Sequence, residues 1–199
     1  NLIADNTGQG PGSAAGTVVI ADANAVQVKD GAANIYYNPN GYANVATENT
    51  AYGGKVQVTG TGSKASWAWV FIDNTSATAQ NKTYNGNTTA LLDQPFTWVG
   101  DPTGAGANTI SLTAGSANFS DKNAAPSKTV TFTGYSLGGA DNNKMALFAQ
   151  PASQTADTTP LALTGPVIAP VTTTYGTTAA NGAVSFGNVV GTDVVTATA

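Results

Sequence analysis

One stretch of the chain spells a catalytic signature: Gly134-Tyr135-Ser136-Leu137-Gly138, followed by Gly139. A G-x-S-x-G turn at the end of a strand is how α/β-hydrolases present a nucleophilic serine. That serine attacks only after a histidine takes its proton, and a carboxylate holds the histidine in its working tautomer. The chain contains no histidine. The residues that follow, Asp141-Asn142-Asn143-Lys144, read as a turn and then a strand, where the elbow requires a helix. Nothing in the spacing makes Lys128 or Lys144 the base of a serine–lysine dyad. The motif reads as a Gly-rich turn between two strands.

Paired carboxylates are the next chemistry to consider, since a glycosidase needs two of them about 5–10 Å apart. Of the eleven acidic residues Glu48 is the only glutamate. Asp30, Asp101, Asp121, Asp141 and Asp157 fall in predicted turns, where Asp normally caps its own backbone. Without His or Cys the metal ligands are reduced to oxygen, so calcium is the ion to weigh. Asp5-Asn6-Thr7-Gly8-Gln9-Gly10 opens like a calcium loop but lacks the bidentate acid expected at its end. Asp22, Asp121 and Asp141-Asn142 fit no better. No catalytic, cofactor or metal site is assigned, and the chain is expected not to be an enzyme.

Two further groups of residues have surface chemistry. Asn74, Asn81, Asn87 and Asn118 each begin an N-x-[ST] glycosylation acceptor. A chain so rich in Asn and Thr yields about four such matches by chance, so their placement carries more than their number. Three lie between Asp73 and Leu91, a polar stretch expected to be an exposed loop. Among the aromatics, Trp67 and Trp69 are expected in the core, and Tyr36, Tyr37 and Trp98 at the surface. Exposed rings on a β-sandwich are what carbohydrate-binding modules use to stack sugars.

The elements that must position these groups are strands. Lys55-Val56-Gln57-Val58-Thr59 alternates strictly, as a half-buried strand does. Ser66-Trp67-Ala68-Trp69-Val70-Phe71-Ile72 is apolar on both faces, which places it centrally with cover on each side. Further strands are expected at 16–21, 25–29, 96–99, 108–113, 128–133, 145–150, 167–175, 183–186 and 193–197. Turn signals fall between them, at Asn38-Pro39-Asn40-Gly41, Tyr52-Gly53-Gly54, Asp101-Pro102-Thr103-Gly104 and Asn181-Gly182 among others. Residues 6–16 and 153–159 read as linker and loop. No window offers a capped amphipathic helix, and no internal repeat is evident. The pattern predicts an all-β chain with very little helix, a Greek-key sandwich of immunoglobulin or pilin type.

Composition narrows the partners. Charged residues make up only 9% of the 199, against about 25% in a typical soluble domain. There is no arginine, and the net charge is −4. That is the wrong sign for a phosphate backbone, and the guanidinium fork that reads phosphate or guanine is missing. Nucleic acid is a poor candidate partner and none is expected, and no apolar run approaches the ~20 residues of a membrane span. Thr, Asn, Gly, Ala and Ser replace charge, a surface commoner in secreted proteins. The start at Asn1-Leu2-Ile3, without an initiator Met, reads as a terminus left by a cleaved signal peptide.

An all-β chain with so few charges has little with which to blunt its sheet edges, and such edges template pairing with another chain. The first 28 residues have a layout suited to that use: an apolar tip at Leu2-Ile3, a linker, and a β-prone stretch. Thr17, Val18, Val19, Ile20, Val26 and Val28 are the candidate donor strand, and 29–199 the sandwich domain. In this layout, and in its Cys-free, Thr- and Asn-rich character, the chain resembles the donor-strand-complemented filament subunits of cell surfaces. It is most similar to the thread and bundling-pilus subunits of archaea. The resemblance implies a secreted, extracellular, glycosylated pilin that polymerises head to tail with itself and serves adhesion or biofilm formation. A secreted carbohydrate-binding or adhesive module, and a viral coat or decoration protein, are the alternatives.

Overall fold

The computed structural model of the protein describes residues 1–4, 18–99 and 109–196. Thr17, the linker at 6–16, the acidic loop at 5–10 and the turn at 101–104 lie outside the described residues. Within them the chain is all-β, with a single α-helix and several small sheets.

The first half is a parallel ladder. Its elements are β1 (Leu2–Ile3), β2 (Val26–Lys29), β3 (Ala33–Tyr37), α1 (Val45–Lys55), β4 (Val56–Thr59) and β5 (Lys64–Asp73). Val26, Gln27 and Val28 of β2 pair in parallel with Val56, Gln57 and Val58 of β4. Ala33 through Tyr37 of β3 likewise pair with Lys64 through Ala68 of β5, and β1 adds to the other side of β3. Strand, corner and strand therefore stack on their own counterparts thirty or so residues further along, the arrangement of a coiled, solenoid-like chain. Because side chains alternate across a strand, parallel stacking in register builds columns. The inward column of Ala33, Ile35 and Val56 closes a small core with Leu2, Val18, Ile20, Val26, Val28 and Val58 packed against it.

The corners stack as closely as the strands. A side chain at Gly62 would place its Cβ 2.0 Å from the carbonyl oxygen of Gly31, so the two corners approach only because position 62 has none. Asp30 spans the same gap, its Oδ1 accepting from the Thr61 amide at 3.2 Å.

Helix α1 fills the connection from β3 to β4. Glu48 in its first turn and Lys55 in its last suit the helix dipole, but Gly53 and Gly54 weaken it. Tertiary contacts hold it instead. Val45 is buried, Tyr52 packs on Tyr37 with ring centroids 4.6 Å apart, and Asn49 accepts the Tyr37 hydroxyl at 2.7 Å.

The chain leaves the ladder after β5 and re-enters it beside the same strand. The re-entry is β12 (Met145–Leu147), parallel to β5 with Met145 opposite Ala68. Between them lie β6 (Lys82–Thr83), β7 (Thr97–Val99), β8 (Ser111–Thr113), β9 (Ser116–Phe119), β10 (Ala125–Thr133) and β11 (Ser136–Gly138). This excursion has its own core of Phe96, Phe119, Val130, Phe132 and Tyr135, which Ile72 of β5 joins. Phe96 sets its edge to both Phe132 and Tyr135, at centroid distances of 5.1 and 5.8 Å. One sheet, ordered β6-β13-β10-β9, covers it, where β13 is Gln154–Thr159.

Several expectations differ from this arrangement. Residues 153–159, read as a loop, contain β13, which is flanked by strands on both sides. Its inward residues Ala156 and Thr158 carry too little apolar surface to signal burial. The polar stretch from 73 to 91 is no free loop either: Ala77, Ala79 and Ala90 are buried in the second core. Trp67 and Trp69, expected inside, are half-buried on the outer side of β5, while Ala68 and Val70 face inward. No strand forms at 193–196, and 197 lies outside the described residues. Beyond β13 the chain carries one short hairpin, β14 (Val167–Ile168) with β15 (Val184–Ser185), and every residue from 162 to 181 is exposed.

Candidate functional site

The strand edge at β1 is the part of the ladder where chemistry and exposure meet. Ala4 donates its amide to the Tyr36 carbonyl at 3.0 Å, and the Trp69 indole nitrogen donates to the Ala4 carbonyl at 3.0 Å. Asn34 Nδ2 donates to Asn1 Oδ1, also at 3.0 Å. Leu2 turns inward to the small core, whereas Ile3 turns outward and is 61% exposed. Among the described residues β1 pairs on one side only.

Outward of this edge runs a row of rings. Tyr36 stacks on Trp67 and on Trp69, at centroid distances of 5.1 and 4.7 Å and interplanar angles of 21° and 15°. Phe148, just past β12, stands edge-on to Trp69 at 5.3 Å. In-register pairing places Tyr36 directly beside Trp67, so the stack follows from the ladder itself. Tyr36 is thus half-buried. Tyr37, expected at the surface, is fully buried in the column with Ala68, because strand alternation turns it away from Tyr36. Burial first, and then the nearby Glu48, push the Tyr37 phenol well above its ordinary range. Trp98 is half-buried against the same core, with an indole nitrogen that finds no partner among the described residues.

The candidate donor residues are placed as follows. Val26 and Val28 lie in β2, paired with β4 of the same chain, and Val18 and Ile20 pack on Ala33, Ile35 and Val56. Val19 is 85% exposed.

The four candidate glycosylation sites share a feature. Asn74 Oδ1 accepts from the Ala152 amide, Asn81 Oδ1 from the Asp157 amide, Asn87 Oδ1 from the Thr89 amide and Asn118 Oδ1 from the Thr88 hydroxyl. Each fixes its side chain through the oxygen, and a glycan attaches at Nδ2. Asn74, Asn81 and Asn87 are exposed and Asn118 is half-buried.

Two lysines, one buried and one half-buried, are ringed by oxygen acceptors, which sequence reasoning did not anticipate. Lys128 is buried, and its ammonium donates to the Asp121 carbonyl, the Asp121 carboxylate and the Asn123 carbonyl within 2.5–2.7 Å. Lys82 donates to Asn85 Oδ1, to the carbonyl and Oδ1 of Asn87, and to the Thr89 carbonyl, and it lies 5.0 Å from the Phe119 ring centroid. Desolvation, and then the charge of Lys128, hold the Lys82 ammonium below its ordinary pKa. An alternating strand pattern marks Lys128 as inward-facing, and that was the available signal.

The acidic residues cap backbone amides. Asp73 accepts from Thr75, Asp93 from Thr78, Asp141 from Thr109 and Asp157 from Ser127. Among the described residues no three acidic side chains come together in a way that would hold a metal ion. Ser136 is exposed in β11, between turns rather than at a strand-to-helix elbow, and Asn142–Lys144 is a short 3-10 turn. A cavity of about 320 Å³ lies where the C-terminal segment meets the ends of β6, β10 and β13, lined by Tyr84, Leu161, Leu163, Val190 and Val195 among others. Tyr84 donates its hydroxyl to Asp193, and Lys122 pairs with Asp193 at 3.0 Å. Both bonds hold the Asp193 carboxyl below the usual range.

The sequence model of one family, described as the YDG domain, matches residues 72–154, less than half of the chain. The matched segment begins in β5 and ends at the first residue of β13, so it spans the excursion and its core. No curated protein and no solved structure matches the chain. Among the described residues no helix is long and apolar enough to cross a membrane.

Proposed function

We propose that the protein is a structural, adhesive subunit of an extracellular filament, and that its subunits join through strand pairing at the ladder edge. The observation that carries this reading is the open parallel ladder. β1, two residues long, docks on β3, and among the described residues its other side is unpaired. The pairings of β1 with β3 and of β2 with β4 are equally possible between copies, because a ladder bond does not depend on which chain supplies the strand. In the filament, residues 1–28 of one subunit occupy these positions in the next. Neutral amide and hydroxyl side chains, and glycans at Asn74, Asn81 or Asn87, keep such a fibre hydrated outside a cell.

Disulfide trapping tests the reading, since the chain has no cysteine of its own. Asn1→Cys with Asn34→Cys reports on β1, and Gln27→Cys with Gln57→Cys reports on β2. Donation predicts disulfide-linked multimers on oxidation, filaments in negative stain, and loss of both when residues 1–20 are deleted. Cross-links confined within single chains overturn it.

A second reading rests on the outward ring stack of Tyr36, Trp67 and Trp69, which offers a flat apolar surface for sugar rings. Binding on a glycan array that is lost in Tyr36→Ala favours this reading. Binding that survives the change removes it.

A further inference from the structure

Three asparagines precede a glycine: Asn40, Asn85 and Asn181. In such pairs the glycine nitrogen is unshielded and attacks the neighbouring side-chain carbonyl. Asn85 differs from the other two in its surroundings. Its Oδ1 accepts from the Lys82 ammonium at 3.1 Å and from the Asn87 amide at 3.4 Å. Two donors on one carbonyl oxygen polarise it and stabilise the oxyanion that forms when Cγ is attacked. Neither Asn40 nor Asn181 has a lysine partner among the described residues. Gly86 is fixed as the partner in the pair. Its φ is +79°, and a Cβ there would lie 2.6 Å from a Val190 methyl.

The Lys82 site also lacks an anion. Its four acceptors are all neutral oxygens, and among the described residues it forms no ion pair. Lys29, Lys55 and Lys64 form none there either, but only Lys82 has four oxygens gathered round its ammonium, while Lys122, Lys128 and Lys144 each have an aspartate. A carboxylate at position 85 would stand where Oδ1 already meets the ammonium.

We propose that Asn85 is a self-modifying position, converted to aspartate by its own backbone to complete an ion pair with Lys82. The Gly86 nitrogen attacks Asn85 Cγ, and ammonia leaves as the succinimide closes. Water then adds at one of the two ring carbonyls. Addition at Cγ breaks the new bond to nitrogen and yields aspartate, and addition at the backbone carbonyl yields isoaspartate. The balance is one amide and one water in, one carboxylate and one ammonium out, with no oxidant or cofactor. Because Lys82 sits on the Cγ oxygen, it directs water to that carbon and selects aspartate. Asn85 is exposed, so water has access.

The test is peptide mapping of the purified folded protein aged near neutral pH, resolving asparagine, aspartate and isoaspartate at positions 40, 85 and 181. Position 85 is expected to convert several-fold faster than the other two, with aspartate in excess. A synthetic peptide of residues 82–90, lacking the fold, is expected to give mainly isoaspartate. Lys82→Arg keeps the cation and the preference, whereas Lys82→Met brings the rate down to that of Asn181. Because Lys82→Met also removes packing, Asn85→Asp is measured alongside, and it is expected to raise the melting temperature. Conversion at 85 no faster than at 181, a product dominated by isoaspartate in the folded protein, or no stabilisation by Asn85→Asp each overturns the proposal.

Discussion

Replacing Trp69 with Phe should loosen the N-terminal strand while leaving the rest of the fold in place. The indole nitrogen donates to the Ala4 carbonyl at 3.0 Å, a neutral contact that adds to the β1–β3 pairing in holding residues 1–4. A neutral hydrogen bond of this kind contributes about 0.5–1.5 kcal/mol net. Phenylalanine keeps a ring in the stack with Tyr36, so the loss is mainly the donor. With RT near 0.59 kcal/mol, that range corresponds to a ~2- to 13-fold rise in the open population of β1. Ala4 lies at the edge, and water can take up its freed carbonyl, which favours the lower half of the range. Hydrogen exchange read by mass spectrometry is the assay. Protection of the peptide containing Ala4 should fall by that factor, while peptides from β10 and β13 stay unchanged. Unchanged exchange at the N-terminus would refute the role of the indole, and an equal loss everywhere would show that Trp69 supports the core instead.

Three other outcomes follow from packing and charge. Phe132→Ala empties the middle of the second core, where Phe132 is 4% exposed, and should cost about 3–5 kcal/mol in denaturant unfolding, read as a shifted midpoint. Gly62→Ala, which forces a methyl against the Gly31 carbonyl, should destabilise the ladder by about 1–3 kcal/mol and leave exchange in β10 and β13 unaltered. Asp121, Asp141 and Asp193 are all held below the ordinary aspartate range by hydrogen bonds, chiefly to Lys128, Lys144 and Tyr84 respectively. A depressed carboxyl pKa stabilises the fold above the unfolded value of about 3.9 and loses that contribution as pH falls from there through the lower folded value. Melting temperature should therefore drop below about pH 4, and Asp193→Asn should make the C-terminal segment protease-sensitive at neutral pH without further change on acidification.

The strand content was legible because alternation of apolar and polar residues reports a half-buried strand directly. β4 and the central position of β5 follow from it. The partners of those strands were not legible, since alternation says which face is buried and nothing about which strand lies alongside. The parallel ladder did leave one trace, Val-Gln-Val at 26–28 and again at 56–58, which pair residue for residue. Three residues are too few to stand out as a repeat, and the remainder of each rung shares only the placement of its apolar side chains. Helix α1 was hidden for a related reason: its glycines and weak amphipathicity give no signal, and it forms because Tyr37, Val45 and Asn49 meet across the chain. β13 was hidden because Ala and Thr line its inner face. At the candidate site, Tyr36 and Trp67 were visible as aromatics, but their stacking depends on register and so awaited the fold.

The chain leaves β5 and returns beside the same strand, and in between it also pairs with it, since Phe71, Ile72 and Asp73 of β5 lie opposite Val99, Trp98 and Thr97 of β7. The register of β12 on β5 is set locally, by Met145 on Ala68 and Leu147 on Val70, and takes no account of how much chain lies between. A lineage can therefore lengthen or shorten the turns between 74 and 143 and leave the spacing of the rungs unchanged, provided β7 and Ile110 keep their places against β5 and the core beneath it.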